Sequence, residues 1–405
     1  MRLSAPKLLS LRISHPQVAW VICVSGMVAS FAMAQQPALD AESHRQLADG
    51  LYARGMYALA ASEYVSLLKS FPDAPKMDAC QFRLGECYRS LGETANAEKS
   101  YRAVFTKYPD SEFRFKACFQ RANIFLAAER PAAAVDLFAA LLAMGPPPDI
   151  GAAALFFTGE AYLDLDKRSD ARTAFQTLAD TYKDSEYYAY ALLKLSALLG
   201  ANSENPDPQK SLQLLETAKA HARTDRIRAE TLFQLAERHF ELAEYEKSAQ
   251  YYQSLLKTYP KDQRVEQARL RAAWASHNAG RYAEALETAE AAMSSATIPD
   301  WLYLKANSQR QLGQGDQAVK SYQELLTSFP QSKVTAAARY ELALTFFRLA
   351  QHENAIATLE SLPPDAPARK EILWLLAESH AALAHHNMAI QNYRLLVREF
   401  PESET

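Results

Sequence analysis

The stretch that decides the fold runs from residue 84 to residue 109 and reads LGECYRSLGETANAEKSYRAVFTKYP. It sets two small residues, Gly85 and Ala97, twelve positions apart. Tyr101 follows Ala97 by four positions, and Pro109 follows Tyr101 by eight. Two antiparallel helices approach closely only where their side chains are small, and a bulky residue one turn later fills the remaining space. Because proline disfavours continuation of the second helix, the stretch predicts a helical hairpin.

The same pattern recurs along the chain. Small residues followed four positions later by another residue, usually bulky, occur at Ala60/Tyr64, Ala97/Tyr101, Ala134/Phe138, Ala171/Phe175, Ser211/Leu215, Ser248/Tyr252, Ala285/Ala289, Ala318/Tyr322, Ala355/Leu359 and Ala389/Tyr393. Successive spacings are 37, 37, 37, 40, 37, 37, 33, 37 and 34 residues. A further small residue lies twelve positions earlier at Ala48, Gly85, Ala122, Gly159, Ala236, Ala273, Ala306, Ala343 and Ala377. A period this regular indicates one continuous repeat array.

Composition favours an all-α fold and excludes one class of partner. The chain has 405 residues, only 12 of them glycine, and it lacks the alternating Val/Ile/Thr-rich runs that indicate strands. The net charge of −3 is spread over mixed acidic and basic residues. No basic stripe is present that would release counterions from a phosphate backbone, so nucleic acid is not an expected partner.

The residues Leu84-Gly85-x-x-Tyr88, Ala97, Tyr101 and Pro109 match the small, aromatic and proline positions of the tetratricopeptide repeat (TPR). The chain therefore resembles TPR proteins, which implies a right-handed α-solenoid of about ten helix-turn-helix repeats. The dominant spacing exceeds the usual period of about 34 residues by three. We expect these extra residues to lengthen the first helix of each repeat by most of a turn.

A junction motif narrows the resemblance. An aromatic residue, proline, any residue and serine precede an alanine-rich helix, as in residues 108–111 (YPDS) and 329–332 (FPQS). This motif is similar to two families of Gram-negative envelope TPR proteins, the Tol-Pal coordinator (YbgF/CpoB type) and the BamD lipoprotein of β-barrel assembly. The resemblance implies a periplasmic adaptor at the outer membrane. Unlike BamD the chain has no lipobox, and unlike the coordinator it has no N-terminal coiled-coil heptads.

The N-terminus predicts export. Arg2, Lys7 and Arg12 precede an uncharged apolar stretch from residue 18 to residue 34, which ends in an Ala-Met-Ala site before Gln35. We expect residues 1–34 to be a cleaved signal peptide, with a retained signal anchor as the alternative. The predicted location is the periplasm, peripheral to the outer membrane, with no integral membrane segment after cleavage.

The cysteines and histidines indicate no catalytic or metal chemistry. Cys80, Cys87 and Cys118 form an odd set in the mature chain, so buried free thiols are expected rather than a disulfide framework. His385 and His386 lie in a predicted turn, where a solvated pair is expected. No zinc-protease motif, nucleophile elbow or phosphate loop is present. The sequence thus predicts no enzyme, cofactor, metal or small-molecule substrate.

Two places interrupt the regular array. Residues 200–208, reading GANSENPDP, replace a short turn and predict either a hinge or a tolerated loop insertion. The hinge would divide the solenoid into residues 35–204 and 205–405. The chain also ends at Thr405 after a complete second helix. Because repeat arrays need a polar cap, we expect either continuation beyond Thr405 or a partner that covers this end.

The repeat phase predicts a binding surface on the first helices. One row of positions holds Arg45, Phe82, Phe119, Phe156, Leu193, Phe233, Leu270, Tyr303, Tyr340 and Trp374, seven of them aromatic. The next row holds Asp49, Glu86, Asn123, Glu160, Ala197, Glu237, Trp274, Asn307, Leu344 and Glu378, which suggests a wet, negative rim suited to a basic or amphipathic ligand. The predicted protein-binding residues are Phe82, Phe119, Phe156, Phe233, Tyr303, Tyr340, Trp374, Glu86, Glu160, Glu237 and Trp274. The alternative is that the aromatic rings pack as core between repeats.

These features predict a non-catalytic periplasmic scaffold that holds protein or peptide partners of the cell envelope. Coordination of outer-membrane, peptidoglycan or division machinery is the expected setting. One alternative is a structural subunit of an outer-membrane assembly or secretion complex. Another is the substrate-recruiting arm of a longer protein.

Overall fold

The computed structural model describes residues 40–200, 206–294 and 298–401. Within these ranges the regular secondary structure is entirely α-helical, with twenty helices. They pair in chain order into ten antiparallel hairpins, each packed against the next. The predicted all-α array of ten helical hairpins is therefore confirmed. The predicted signal peptide, residues 1–34, lies outside the described residues.

Each repeat consists of a first helix and a second helix. The first helices are α1 (Ala41–Ala53), α3 (Met77–Ser90), α5 (Arg114–Ala127), α7 (Pro148–Asp164), α9 (Tyr188–Ala197), α11 (Asp225–Glu241), α13 (Val265–Asn278), α15 (Pro299–Gln311), α17 (Thr335–Arg348) and α19 (Arg369–Ala382). The second helices are α2 (Tyr57–Ser70), α4 (Thr94–Lys107), α6 (Pro131–Ala143), α8 (Arg168–Thr181), α10 (Pro208–His221), α12 (Tyr245–Thr258), α14 (Tyr282–Met293), α16 (Gly315–Ser328), α18 (His352–Glu360) and α20 (His386–Glu399).

The small residues that set the period lie where the two helices of a hairpin cross. Ala48 and Ala60 are fully buried, as are their equivalents in most other repeats. At Gly85 the approach is closest, because an added Cβ atom would lie 2.6 Å from the Tyr101 ring. At Gly159 the corresponding distance to the Phe175 ring is 2.5 Å. Two of the hairpins thus admit only glycine at this crossing without movement of a buried ring.

Repeat five uses the same crossing with a different spacing. Ser196 and Ser211 are both fully buried, and their hydroxyl oxygens lie 2.7 Å apart in a hydrogen bond. They are separated by fifteen residues instead of twelve. The longer loop before Pro208 accounts for the difference, and it explains why a search at fixed spacing finds no first small residue in this repeat.

The extra residues of the dominant period do not lengthen the first helix in most repeats, so that expectation is wrong as a general rule; α7 and α11, with 17 residues each, are the longer exceptions. Helix α5 lies within a 37-residue spacing and helix α19 within the 34-residue spacing. Both of these first helices nevertheless have 14 residues. The second helices differ instead, with 14 residues in α4 and 9 in α18. The additional length lies in the second helix and in the turn that follows it.

The junction serine has a defined role in that turn. The backbone N–H of Ser111 donates to the Tyr108 carbonyl oxygen at 3.0 Å. Its side-chain oxygen accepts from the Phe113 backbone N–H at 3.1 Å. Ser185 and Ser332 make the same pair of contacts. Such side-chain-to-backbone bonds stabilise the turn that begins the next first helix.

Neighbouring repeats are closer along their first helices than along their second helices. Contacts join α5 to α7 and α13 to α15, for example, and no pair of neighbouring second helices makes comparable contact among the described residues. The array therefore curves with the first helices on its inner face. This is the face that the sequence predicts for binding.

Hydrophobic packing continues through repeat five. One buried cluster contains Leu155 and Phe175 from repeat four, Leu195 and Leu215 from repeat five, and Leu235 from repeat six. Residues 201–205 of the long loop lie outside the described residues. The hinge near residues 200–208 stays a prediction. Any bending there would have to preserve or disrupt this buried cluster.

The three cysteines of the described part of the chain are free and buried, as expected. Burial, with a smaller effect from the nearby Asp49 carboxylate, raises the pKa of the Cys80 thiol to about 11. Burial likewise raises the pKa of Cys87 to about 11. These thiols are protonated at neutral pH and serve as small apolar core groups. Of the helices described here, none has both the length and the apolar character needed to cross a bilayer.

Replacing Gly85 by alanine tests the helix crossing. We expect Gly85→Ala to lower the free energy of unfolding by about 1–3 kcal/mol, because the new methyl group must displace the buried Tyr101 ring. The measurement is the urea midpoint followed by circular dichroism.

The control is Gly50→Ala in α1. Gly50 is exposed, and an added Cβ atom would meet nothing within 4 Å. Here alanine removes only the entropic penalty of a helical glycine, so we expect stabilisation by about 0.5–1 kcal/mol. Equal effects of the two substitutions would contradict the role assigned to the crossing.

Candidate functional site

The predicted aromatic row lies on the inner face and is mostly half-buried. Phe82, Phe119, Phe156, Phe233, Tyr303 and Tyr340 are all of intermediate exposure. Trp374 differs, because 44% of its surface is exposed. Leu193, in the same row, is buried. The row therefore presents ring edges to the inner face along most of its length and one open indole near its end.

Five of the seven rings also pack against an aromatic ring on the second helix of their own hairpin. The Phe82 and Tyr101 ring centroids are 5.7 Å apart, and the Phe119 and Phe138 centroids are also 5.7 Å apart. Equivalent contacts are Phe156–Phe175 at 5.8 Å, Phe233–Tyr252 at 5.7 Å and Tyr303–Tyr322 at 6.4 Å. The rings thus contribute to the core between helices as well as to the inner face. Their role in binding stays a prediction.

Two tryptophans stand on the inner face in different surroundings. Trp274 is packed between the rings of Tyr303, at 5.7 Å, and His277, at 5.4 Å. Trp374 has one aromatic neighbour among the described residues, Phe347, whose ring centroid lies 6.3 Å away. Trp374 is consequently the large aromatic side chain of this face that is most open to a partner.

The acidic row forms a ladder with tyrosines of the second helices. In four repeats a carboxylate accepts a hydrogen bond from the hydroxyl of the tyrosine fifteen residues later. These pairs are Asp49 with Tyr64, Glu86 with Tyr101, Glu237 with Tyr252 and Glu378 with Tyr393. Both rows are visible in the sequence, but the pairing emerges only when the fifteen-residue offset is applied to them together.

Basic side chains from the next repeat compensate several of these carboxylates. Arg83 donates to Asp49, and it lies 34 residues further along the chain. At the same offset, Lys194 lies 2.9 Å from Glu160, and Arg271 lies 3.1 Å from Glu237. The inner face is therefore less negative than the sequence suggests. Asp49 and Glu237 each link the two helices of one hairpin to the first helix of the next.

Repeat four shows how the ladder adapts. The residue fifteen positions after Glu160 is Phe175, which has no hydroxyl group. Glu160 consequently relies on Lys194 alone. In repeat eight the acid is replaced by Asn307, whose side-chain amide donates to the Tyr303 carbonyl oxygen at 2.8 Å instead.

The pKa values follow these contacts. Burial alone would raise the pKa of Asp49, but hydrogen bonds from Arg83 and Tyr64 outweigh it and hold the pKa below the ordinary value of 3.8. The hydrogen bond to Glu378, together with burial, raises the pKa of Tyr393 to about 12. Asp49 is thus ionised and the Tyr393 phenol neutral at physiological pH.

The histidines in the described part of the chain do not assemble into a metal centre. Within the described ranges, no group of three or more His, Cys, Asp or Glu side chains is placed to hold an ion. His385 and His386 are exposed at the start of α20, as expected for a solvated pair. The Nδ1 atoms of His380 and His385 lie 3.5 Å apart across the turn.

Comparison with family models identifies the repeats. One tetratricopeptide-repeat model matches residues 119–186 and 303–370, and a second matches residues 79–111 and 230–262. No curated protein matches the chain. The narrower resemblance to the Tol-Pal coordinator and BamD families stays a prediction.

Several solved structures are similar in fold. PilF of Pseudomonas aeruginosa has a TM-score of 0.43 and 14% identity, covering 56% of this chain and 95% of that one. PilW, described as a widely conserved type IV pilus biogenesis factor, has a TM-score of 0.42 and 16% identity, covering 56% of this chain and 97% of that one. The TPR domain of P58(IPK) has a TM-score of 0.29 and 17% identity, covering 86% and 99%. At such low scores the likeness carries no information about function.

Removing one hydroxyl group tests the ladder. In Tyr101→Phe the carboxylate of Glu86, which is only 9% exposed, loses its phenol donor. We expect the free energy of unfolding to fall by about 1–3 kcal/mol, because a buried charged acceptor loses a hydrogen bond. The matched control is Tyr322→Phe, at the equivalent fully buried position where Asn307 replaces the acid. A loss as large in the control would show that the carboxylate is not responsible.

The ladder also predicts a pH dependence. The pKa of Asp49 is lower in the folded chain than its ordinary value of 3.8, so its stabilising contribution is complete above that value. It is lost as the pH falls through the lower folded pKa. We expect Asp49→Asn to lower the urea midpoint at pH 7, with the gap to the original chain closing below about pH 4. Asp110→Asn, which alters an exposed turn residue, should show no such pH-dependent gap.

Proposed function

We propose that this chain, which is a tetratricopeptide-repeat protein, is a non-catalytic periplasmic scaffold that holds cell-envelope proteins on its inner face. The observation that carries the proposal is the aromatic row, which ends in the open indole of Trp374. Aromatic side chains supply large contact areas with few rotatable bonds, and tryptophan is prominent among residues that dominate binding energy.

The ladder supports this role by making the inner face rigid before a partner arrives. Carboxylates such as Asp49 and Glu237 are held by a tyrosine of their own hairpin and by a base of the next. A surface already held in its bound shape loses little conformational entropy on association. We therefore expect the partner to place apolar side chains along the row of rings. Its polar groups would lie against carboxylates that are already paired with tyrosines and basic side chains.

The periplasmic setting rests on the N-terminal sequence. Basic residues, an apolar stretch and an Ala-Met-Ala site before Gln35 fit a cleaved export signal. In that compartment the partners would belong to outer-membrane, peptidoglycan or division machinery, which a scaffold with several repeats can bring together. The chemistry of the described inner face favours protein segments, since its rings and paired charges are spread along a row of repeats.

A second candidate is a structural subunit of an outer-membrane assembly or secretion complex. On α20, Ile390 and Val397 are 47% and 55% exposed. The equivalent residues of α16, Val319 and Leu326, pack in the core formed with α17. A constitutive partner on α20 would cover this apolar face. Light scattering after size exclusion distinguishes the scaffold from the structural subunit. Without a partner, a scaffold should be monodisperse, whereas a structural subunit should aggregate.

Replacing Trp374 tests the scaffold. We expect Trp374→Ala to reduce capture of periplasmic partners by the immobilised chain at least about tenfold, since a central buried indole at an interface contributes 2 kcal/mol or more. Because Trp374 is exposed, the variant should retain the thermal stability of the original chain. Captured proteins are quantified by mass spectrometry.

The matched control is Phe105→Ala. Phe105 is 40% exposed but lies on the second helix α4, away from the inner face. Its loss should leave capture unchanged. Equal capture by the Trp374→Ala variant and the original chain would refute the inner-face scaffold. Alanine at Phe82, Phe119 and Phe156 is less informative, because these rings also support the core.

A further inference from the structure

The inner face contains a cavity where α5 and α7 lie side by side. Its volume is about 230 Å³. The rings of Phe82, Phe119 and Tyr187 form its walls, and Ile150 and Ala153 complete its apolar lining. This volume far exceeds the space of one water molecule but is smaller than a typical site for a drug-sized ligand. The cavity therefore suits a single side chain.

A small residue on α7 creates this space. Ala153 lies three positions before Phe156 of the aromatic row. The equivalent positions of the preceding and following repeats carry Lys116 and Tyr190. Because the alanine side chain ends at its Cβ atom, α7 leaves room on the inner face that a longer side chain would fill.

The walls of the cavity are supported by other aromatic rings. The Phe157 ring contacts both Phe119 and Tyr187, with centroid distances of 5.8 and 6.0 Å. Phe82 stacks on Phe113 at 5.2 Å. A cavity with supported walls loses little conformational entropy when it is filled. The cavity is thus shaped before a partner binds.

Charged side chains of opposite sign border the cavity on different elements. Lys116 lies on α5, whereas Asp149 lies in the first turn of α7 and Glu186 in the turn before α9. All three are exposed, and none forms an ion pair with another residue of the described ranges. The side of the cavity toward repeats four and five is therefore acidic, and the side toward repeat three is basic.

The two acids also border a second, larger cavity of about 460 Å³. Lys183 and Arg223 are among the residues that line it. The Arg223 guanidinium donates to the Asp184 carbonyl oxygen at 2.6 Å. In the part of the chain that the structure describes, neither base forms an ion pair with Asp149 or Glu186. Both carboxylates can thus accept a basic group from outside.

We infer that the apolar cavity receives a leucine-sized aliphatic side chain of the partner protein, with an adjacent lysine or arginine of the partner lying at Asp149 and Glu186. This inference rests on the proposed function and specifies the partner segment that the inner face holds. Burial of the aliphatic side chain supplies most of the binding energy. The acids on one side and Lys116 on the other set the direction in which the segment lies.

The test uses three short peptides and one reporter group. The chain is labelled with ¹³C in its isoleucine δ1 methyl groups, and the resonance of Ile150 is assigned by its loss in Ile150→Leu. Acetyl-Lys-Leu-Lys-amide, which offers a lysine on either side of the leucine, is compared with acetyl-Lys-Ala-Lys-amide and acetyl-Gln-Leu-Gln-amide. The first comparison removes the aliphatic side chain, and the second removes the charge.

We expect acetyl-Lys-Leu-Lys-amide to shift the Ile150 resonance saturably. Its Kd should be at least about tenfold lower than that of the alanine peptide, because leucine buries more apolar surface. It should be about two- to fivefold lower than that of the glutamine peptide, because ion pairs at an exposed site are weak. Equal affinity of the leucine-lysine peptide and either comparison peptide would overturn the inference.

A variant that fills the cavity tests the position of the leucine. Ala153→Phe should weaken binding of acetyl-Lys-Leu-Lys-amide at least about tenfold. The matched control is Ala337→Phe, at the equivalent position of α17, where the inner face has another cavity of about 210 Å³. The acid that borders that cavity, Glu341, is already paired with Arg310 at 3.1 Å. A larger loss in the control than in Ala153→Phe would place the peptide in repeat nine and contradict the inference.

A second pair of variants tests the charge. Glu186→Gln should weaken binding of acetyl-Lys-Leu-Lys-amide about two- to fivefold and leave the glutamine peptide unaffected. The control is Glu112→Gln, because Glu112 is also exposed and also follows a junction serine, but does not line the cavity. Since Glu186 is exposed, this test does not depend on the stability of Ala153→Phe. Equal effects of the two glutamine variants would exclude the assigned ion pair.

The outcomes separate this inference from the scaffold proposal. If the immobilised chain captures partners through Trp374 but the leucine-lysine peptide binds no better than the alanine peptide, the scaffold stands and the cavity inference fails. If the peptide binds as expected but replacement of Trp374 leaves capture unchanged, the cavity binds its ligand and the scaffold proposal fails.

Discussion

The fold depends on how closely the two helices of each hairpin can approach. At the crossing of Gly85 with Tyr101, no side chain separates the first helix from a buried ring, and alanine or serine plays this part in most other repeats. Because the crossing recurs, every hairpin has nearly the same thickness, and neighbouring hairpins stack in register. The inner face is then a row of equivalent positions, so a residue type repeated in the sequence becomes a continuous strip in space.

Electrostatic contacts add a second layer of order to that stacking. A carboxylate such as Asp49 or Glu237 touches a phenol from its own hairpin and a guanidinium from the next. Hydrophobic clusters alone would hold the repeats together with little directional preference. The hydrogen bonds instead specify how one first helix lies against the next. In the sequence these carboxylates look like part of a negative rim. In the structure they hold neighbouring repeats together.

The sequence predicted the number of hairpins, the crossing residues and the membership of both inner rows, since each follows from a fixed period. It missed Ser196 because the loop before Pro208 changes the local spacing. It also misassigned the extra residues of the long period, because helix length in this array depends on the turn built around residues such as Ser111. The ion pairs of Arg83 and Arg264 join neighbouring repeats and emerge only from the packed structure.

The serine turn has a consequence for how a long ligand would be held. The same turn precedes α5, α9 and α17, so one local geometry joins successive hairpins at these three junctions. The junctions before α15 and α19 are built differently, after the shorter second helices α14 and α18. An extended partner would therefore meet the same turn geometry at the junctions before α5, α9 and α17 and a different one before α15 and α19, which favours a partner whose own spacing varies along its length.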